Sequence, residues 1–206
     1  MHIKTISIFI LGLACGALLS ILIMKITLSH SNRQEKSVQN ISMEKPTIAN
    51  VRASLNAPHM PLMVATGSII DFKNAQWQLR GINNKIISFA DFRGKVLFMN
   101  FWGTWCGPCV AEMPSIQILY DSLKHDPVEF LAISDESISK IQEFGKREQL
   151  TLPLFQNVSK PLPEFDFKVW PVTVIVNKSG TMVYVESGSA KWDDPSVIKF
   201  IRNLCK

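Results

Sequence analysis

Hydrophobic and polar positions divide the chain into three regimes. From Thr5 to Met24 no charged residue interrupts a run of apolar and small residues. As a helix, about 20 residues rising ~1.5 Å each span ~30 Å, the thickness of a bilayer's hydrocarbon core. From Thr27 to about Pro61 the pattern is polar and mixed, and Pro46, Pro58 and Pro61 interrupt any helix. Beyond that, short apolar runs alternate with amphipathic stretches to the C-terminus.

The third regime predicts a sequence of elements. "WQLRGINNKIISF" is two apolar-rich runs around Asn83-Asn84, a hairpin signal. "VLFMNFW" is a continuous apolar run of strand length, the pattern of a strand covered on both faces. Residues Val110 to His125 carry Met113, Ile116, Leu119, Tyr120 and Leu123 at helical steps. "VEFLAIS" predicts a second buried strand, and "SISKIQEFGKREQL" a second helix with Ile138, Ile141, Phe144 and Leu150 on one side. "VTVIVNKSGTMVYVES" predicts a hairpin turning at Lys178-Ser179-Gly180, and "DPSVIKFIRNLCK" a closing helix begun by Asp194 and Pro195. The order is hairpin, then βαβα, then ββα. It predicts an α/β domain with a mixed central sheet covered by helices.

These regimes give a membrane anchor over 1–26, a polar linker over 27–62 and one folded domain over 63–206. A cleaved signal peptide would have a shorter apolar region and a small-x-small cleavage site. Ile21-Leu22-Ile23-Met24-Lys25-Ile26 offers none. A lipoprotein signal at Leu13-Ala14-Cys15-Gly16 is disfavoured by the apolar residues that continue past Cys15, so residues 5–24 are read as an uncleaved single span. Flanking charge leaves its orientation open, since Lys4 stands against Lys25, Arg33 and Lys36.

Charge matters mainly by exclusion. Residues 1–62 hold six Lys/Arg and two acids, whereas 63–206 hold sixteen against fifteen. The basic excess belongs to the anchor and linker, and the near-neutral domain has no electrostatic footprint for nucleic acid.

The candidate chemistry lies in "FWGTWCGPCV", where Cys106 and Cys109 flank Gly107-Pro108. A closed zinc site needs four Cys/His ligands, but Cys15 is in the anchor, Cys205 is single, and His2, His30 and His59 precede the domain. A merely structural disulfide leaves Trp105 and the Gly-Pro pair without a purpose, and a domain of this size does not depend on a staple. A redox pair accounts for the neighbours. A strand delivers Cys106 to a helix start, where unpaired N–H groups and the helix dipole favour thiolate. Cys109 lies one turn inside on the same face, shielded and able to resolve a mixed disulfide at Cys106. Pro108 falls in the first turn, where its missing N–H costs nothing. Cys-x-x-Cys beside a βαβ pattern is a redox signature.

"VLFMNFWGTWCGPCVAEMP", with "FADFRGK" before it and "WPVTVIVNKSG" after the second helix, resembles the thioredoxin-like proteins. Within them it is similar to the membrane-anchored bacterial TlpA/ResA/DsbE branch. The resemblance implies a thioredoxin fold with an N-terminal β-hairpin, and thiol–disulfide exchange outside the cytoplasm on apocytochrome c or other partner proteins. It also implies an inner-membrane orientation with the N-terminus inside and the domain in the periplasm. No cofactor beyond the Cys106–Cys109 pair is implied. Pro171 aligns with the family's cis-proline, which presents backbone to the substrate. Trp170 either borders the substrate groove or fills the core, and Trp105, Gly107 and Pro108 complete the substrate-facing surface. Pro114 aligns with a kinking proline. Asn100 stands where thioredoxin carries a buried acid, so that proton acceptor is absent.

Glu112 is the candidate replacement, matching a glutamate that resembling proteins use near their cysteines. A partly buried carboxyl there would take the Cys109 proton. The alternative is a solvated glutamate in the first helical turn. Gly107-Pro108 matches thioredoxin, with a potential of about −270 mV, which favours a reductase recharged by a membrane electron donor. An oxidase or isomerase, or a non-catalytic protein-binding adaptor, are the alternatives. Cys205 is expected as a small apolar residue of the last helix or as a partner in a regulatory disulfide.

Overall fold

The structure, a computed structural model, describes Lys25, residues 52–58 and residues 67–206. The anchor expected over 5–24 and the linker expected over 27–62, apart from 52–58, lie outside the described residues. Among the described residues no helix is long and apolar enough to cross a membrane. Within 52–58, the Asn56 carbonyl accepts the Lys191 N–H at 2.8 Å, which lays this stretch against the domain.

Among the described residues seven strands form one sheet in the order β2-β1-β5-β4-β3-β6-β7. The predicted hairpin is β1 (Gln78–Gly81) and β2 (Ile86–Ser88), and its turn places Asn84 at φ 64°. β3 (Val96–Phe101) is buried at every position, as its unbroken apolar run requires. It pairs in parallel with β4 (Val128–Ser134) and antiparallel with β6 (Val172–Val176). β7 (Met182–Ser187) returns antiparallel to β6 and completes the second predicted hairpin. The sheet is therefore mixed.

One strand escaped the sequence pattern. β5 (Leu154–Asn157) lies between the second helix and β6, parallel to β4 and antiparallel to β1. Four residues directly after Pro153 are too short to show a period, yet Leu154 and Phe155 are both buried. β5 is what joins the N-terminal hairpin to the rest of the sheet.

The first helix, α1 (Gly107–Leu123), starts three residues earlier than its apolar pattern indicated. Gly107 and Pro108 fill the first two helical positions, which need no N–H partner. Pro114 lies inside α1, which remains one element through it. α2 (Ile138–Arg147) ends before Leu150, because Gln149 adopts φ 54°. Leu150 still packs on the core, with its N–H donating to the Gly145 carbonyl at 2.9 Å. α3 (Pro195–Leu204) is capped by Asp194, whose carboxylate accepts the Ser196 N–H at 2.9 Å.

α1, α2 and α3 pack into the core of the same sheet face, through Met113, Ile116 and Leu119 of α1, Ile141 and Phe144 of α2, and Val197 and Ile201 of α3. Strand alternation sends Val96, Phe98 and Asn100 toward that face and Leu97, Met99 and Phe101 toward the other. On the second face the described residues form an aromatic layer, to which short 3-10 turns at Phe89–Phe92 and Pro163–Phe165 contribute. Trp77, Phe89, Phe101 and Phe165 meet in stacked, tilted and edge-on pairs with centroids 4.6 to 6.3 Å apart.

Candidate active site

β3 ends at Phe101, and the loop from Trp102 to Trp105 carries the chain to Cys106, the N-cap of α1. Cys106 has extended backbone geometry, and its sulfur accepts the Cys109 N–H at 3.3 Å. That places the sulfur at the positive end of the helix dipole, where a thiolate is favoured when the pair is reduced. Cys109 follows one turn on, and the two form a disulfide with S–S 2.04 Å and Cα atoms 5.2 Å apart. Cys106 is 6% exposed and Cys109 0%, so the outer sulfur is the one an attacking thiolate can reach.

Around this disulfide the predicted substrate-facing residues come together at the surface. Gly107 and Pro108 are exposed, and Trp105 is 68% exposed. Gly103 allows this, since a Cβ there would fall 2.7 Å from the Trp105 indole nitrogen. The Trp170-Pro171 peptide is cis, at the entrance to β6. Trp170 is half-buried. It packs on the cores of both sheet faces, while its ring lies 6.0 Å from that of Trp105. Val169, 58% exposed, extends the apolar rim.

Glu112 is not a solvated residue of the first turn. It sits in the second turn of α1, fully buried. Its Oε1 accepts from Asn100 Nδ2 at 2.9 Å, and its Oε2 accepts from the Ala190 N–H at 3.0 Å and from Trp192 Nε1 at 2.8 Å. Burial pushes its pKa from the ordinary 4.5 up to about 7, against the opposing effect of the bonds from Trp192, Ala190 and Asn100. A carboxyl tuned to neutrality, one turn from Cys109 on the same helix, suits proton transfer. None of these three bonds goes to a sulfur.

The network contains residues that the sequence did not single out. Thr173 of β6 lies opposite Asn100 in the strand register and accepts from its Nδ2 at 2.9 Å. Ala190 and Trp192 lie in the loop before α3, and Ser115 Oγ holds that loop by accepting the Trp192 N–H at 3.1 Å. The other such residue is Glu136, after β4, whose carboxylate binds Thr104 in the active-site loop. A lone acid after a strand carries no periodic or spacing signal, and neither does a threonine within one.

Cys205 ends α3 as its C-cap and is only partly exposed. Burial, then the nearby Asp126, raise its thiol pKa, which disfavours thiolate.

Residues 68–185 match the AhpC/TSA family. The thiol-disulfide oxidoreductase ResA of Geobacillus kaustophilus is 35% identical over 107 residues, covering 51% of this chain and 62% of the relative. The aligned part is thus under two thirds of that relative's own length. The protein of the same name from Bacillus subtilis is 34% identical over 130 residues, covering 62% of this chain and 71% of the relative. A solved structure from Chlorobium tepidum, described as the thiol:disulfide interchange protein DsbE, shares the fold with a TM-score of 0.57 at 16% identity. That alignment covers 70% of this chain and 100% of the other. With its redox-type cysteine pair at a helix start and more than half its length within the family's match, this chain belongs to the thioredoxin-like AhpC/TSA family.

Proposed function

We propose that this chain is a membrane-anchored, extracytoplasmic thiol–disulfide oxidoreductase that reduces disulfides in partner proteins. The observation that carries the reading is the Cys106–Cys109 disulfide at the start of α1, directly after the exposed Trp105. In the reduced protein the Cys106 thiolate attacks one sulfur of a substrate disulfide. A Cys106–substrate disulfide forms and the first substrate thiolate leaves. Cys109 gives its proton toward Glu112 and attacks Cys106 Sγ, which closes the Cys106–Cys109 bond and releases the second substrate thiolate. Two electrons pass to the substrate.

A thiol donor must then reduce the pair, and the apolar run over residues 5–24 supports a donor in the same membrane. Inner-membrane attachment with the domain in the periplasm, and an apocytochrome c among the substrates, extend the resemblance of this sequence to the ResA and DsbE type. The Gly107-Pro108 dipeptide supports the reductive direction.

Trapping tests the reading. Reduced protein carrying Cys109→Ala should accumulate mixed disulfides with envelope proteins, released by a reductant, whereas Cys106→Ala should trap none. An adaptor that only binds would show no cysteine-dependent reduction of insulin, and that result would end the enzymatic reading.

A further inference from the structure

The three hydrogen bonds into Glu112 all come from donors: Asn100 Nδ2, the Ala190 N–H and Trp192 Nε1. They suit a carboxylate. They do not suit the neutral acid, whose O–H needs an acceptor. On Oε2 no acceptor is available, since a backbone N–H and an indole N–H can only donate. On Oε1 the partner is an amide, which presents an oxygen when turned by 180°.

Asn100 has features that such a turn would use. Its Nδ2 donates to both Glu112 Oε1 and Thr173 Oγ1 at 2.9 Å. Its Oδ1 is buried with no hydrogen-bond partner among the described residues. In the turned orientation Oδ1 accepts the Glu112 O–H with one lone pair and the Thr173 O–H with the other, because a threonine hydroxyl can donate as well as accept. Each orientation leaves one amide atom unpaired, so neither is favoured in itself. The carboxyl decides. An ionised Glu112 facing Oδ1 would be repelled, and a protonated Glu112 facing Nδ2 would bury an unpaired O–H, which is costly.

We propose that Asn100 is a positioning residue whose side-chain amide turns with the proton of Glu112, donating to the carboxylate and accepting from the acid. The coupling deepens the function proposed above and rests on Glu112 gaining and losing a proton. It lets a fully buried carboxyl change protonation state while keeping a hydrogen bond on Oε1 throughout. The titratable groups around the cluster are Cys109 on α1 and the Tyr184–Glu186 pair on β7. The Tyr184 hydroxyl donates to Glu186, which is the register partner of Thr173.

The oxidised protein isolates the event, because neither Cys106 nor Cys109 titrates in the disulfide. Carbon-13 NMR of the Glu112 carboxyl would be followed between about pH 5 and pH 9, together with the Asn100 amide protons. The expected result is one shared midpoint. Above it the amide protons show contacts to Thr173, and below it these contacts are lost. Glu112→Gln provides a second measurement. Its oxygen can accept from Ala190 and Trp192 while its NH2 faces Asn100, so the amide should hold the turned orientation at every pH. If Glu112 titrates and the Asn100 contacts do not change, the coupling is overturned while the proton-acceptor role of Glu112 survives. If Glu112 does not titrate in this range, both fall.

Discussion

Thr104 is clamped by Glu136. Its backbone N–H and its hydroxyl donate to the two carboxylate oxygens at 2.6 and 2.8 Å. The contact ties the loop that carries Trp105 and Cys106 to the loop that follows β4. Bonds to a charged acceptor contribute roughly 1.5–3 kcal/mol each. Glu136→Ala removes both and should destabilise the domain by about 3 kcal/mol and slow exchange with protein disulfides at least ~10-fold. Glu136→Gln keeps one acceptor and should fall between the two. Chemical denaturation and steady-state turnover of all three proteins would check this. Equal turnover in the alanine variant would show that the clamp does not set the loop.

Trp105 makes the opposite kind of prediction. At 68% exposure its ring contributes little to folding, so Trp105→Ala should stay within about 0.5 kcal/mol of the parent in stability. Exchange with protein disulfides should drop ~10-fold through KM, since exposed aromatics supply binding energy to partners. Reaction with a small thiol such as dithiothreitol should be nearly unchanged. A parallel loss with both reagents would mean that the ring acts on the cysteines and not on the partner.

Glu112 links pH to stability, and the sign follows from its pKa of about 7. The folded protein holds this proton more tightly than the unfolded chain, where the carboxyl titrates near 4.5. The stabilisation is thus complete below about pH 4.5 and is lost as pH rises through about 7, on the order of 3 kcal/mol in all. Glu112→Gln removes this contribution. Plotted against pH from 5 to 8, the difference in unfolding free energy between the two proteins should tilt in the variant's favour as pH rises. A flat difference would place the carboxyl pKa near its ordinary value.

The same residue predicts a kinetic effect. If the Glu112 carboxylate takes the Cys109 proton, Glu112→Gln should slow resolution of a mixed disulfide at Cys106, most visibly near neutral pH. It should also displace the pH profile of that step in single-turnover experiments. Superimposable profiles would leave Glu112 a purely structural acid.

Much of the fold was legible because its signals are local and periodic. The apolar run of β3, the two hairpins and the Asp194-Pro195 start of α3 each follow from residues adjacent in sequence. So does the Cys106-Gly107-Pro108-Cys109 site, since one helical start fixes all four residues. β5 was not legible, because its four residues become a strand only through β4 and β1 on either side. The depth of Glu112 was not legible either. Its burial depends on Ala190 and Trp192, 78 and 80 residues away in the chain, and no pattern within α1 foretells them.

The position of β5 also orders the birth of the molecule. Among the described residues β1 pairs with β2 and β5 alone, so this hairpin has no further strand to join until Asn157 has been synthesised. A two-stranded hairpin is marginal by itself in water. Its exposed edge must therefore wait, unpaired, while β3, α1, β4 and α2 are made. β5, paired on its other side with β4, is the landing site for β1. The docking of this hairpin thus depends on a strand made only after β3, α1, β4 and α2, and that strand is among the shortest in the sheet.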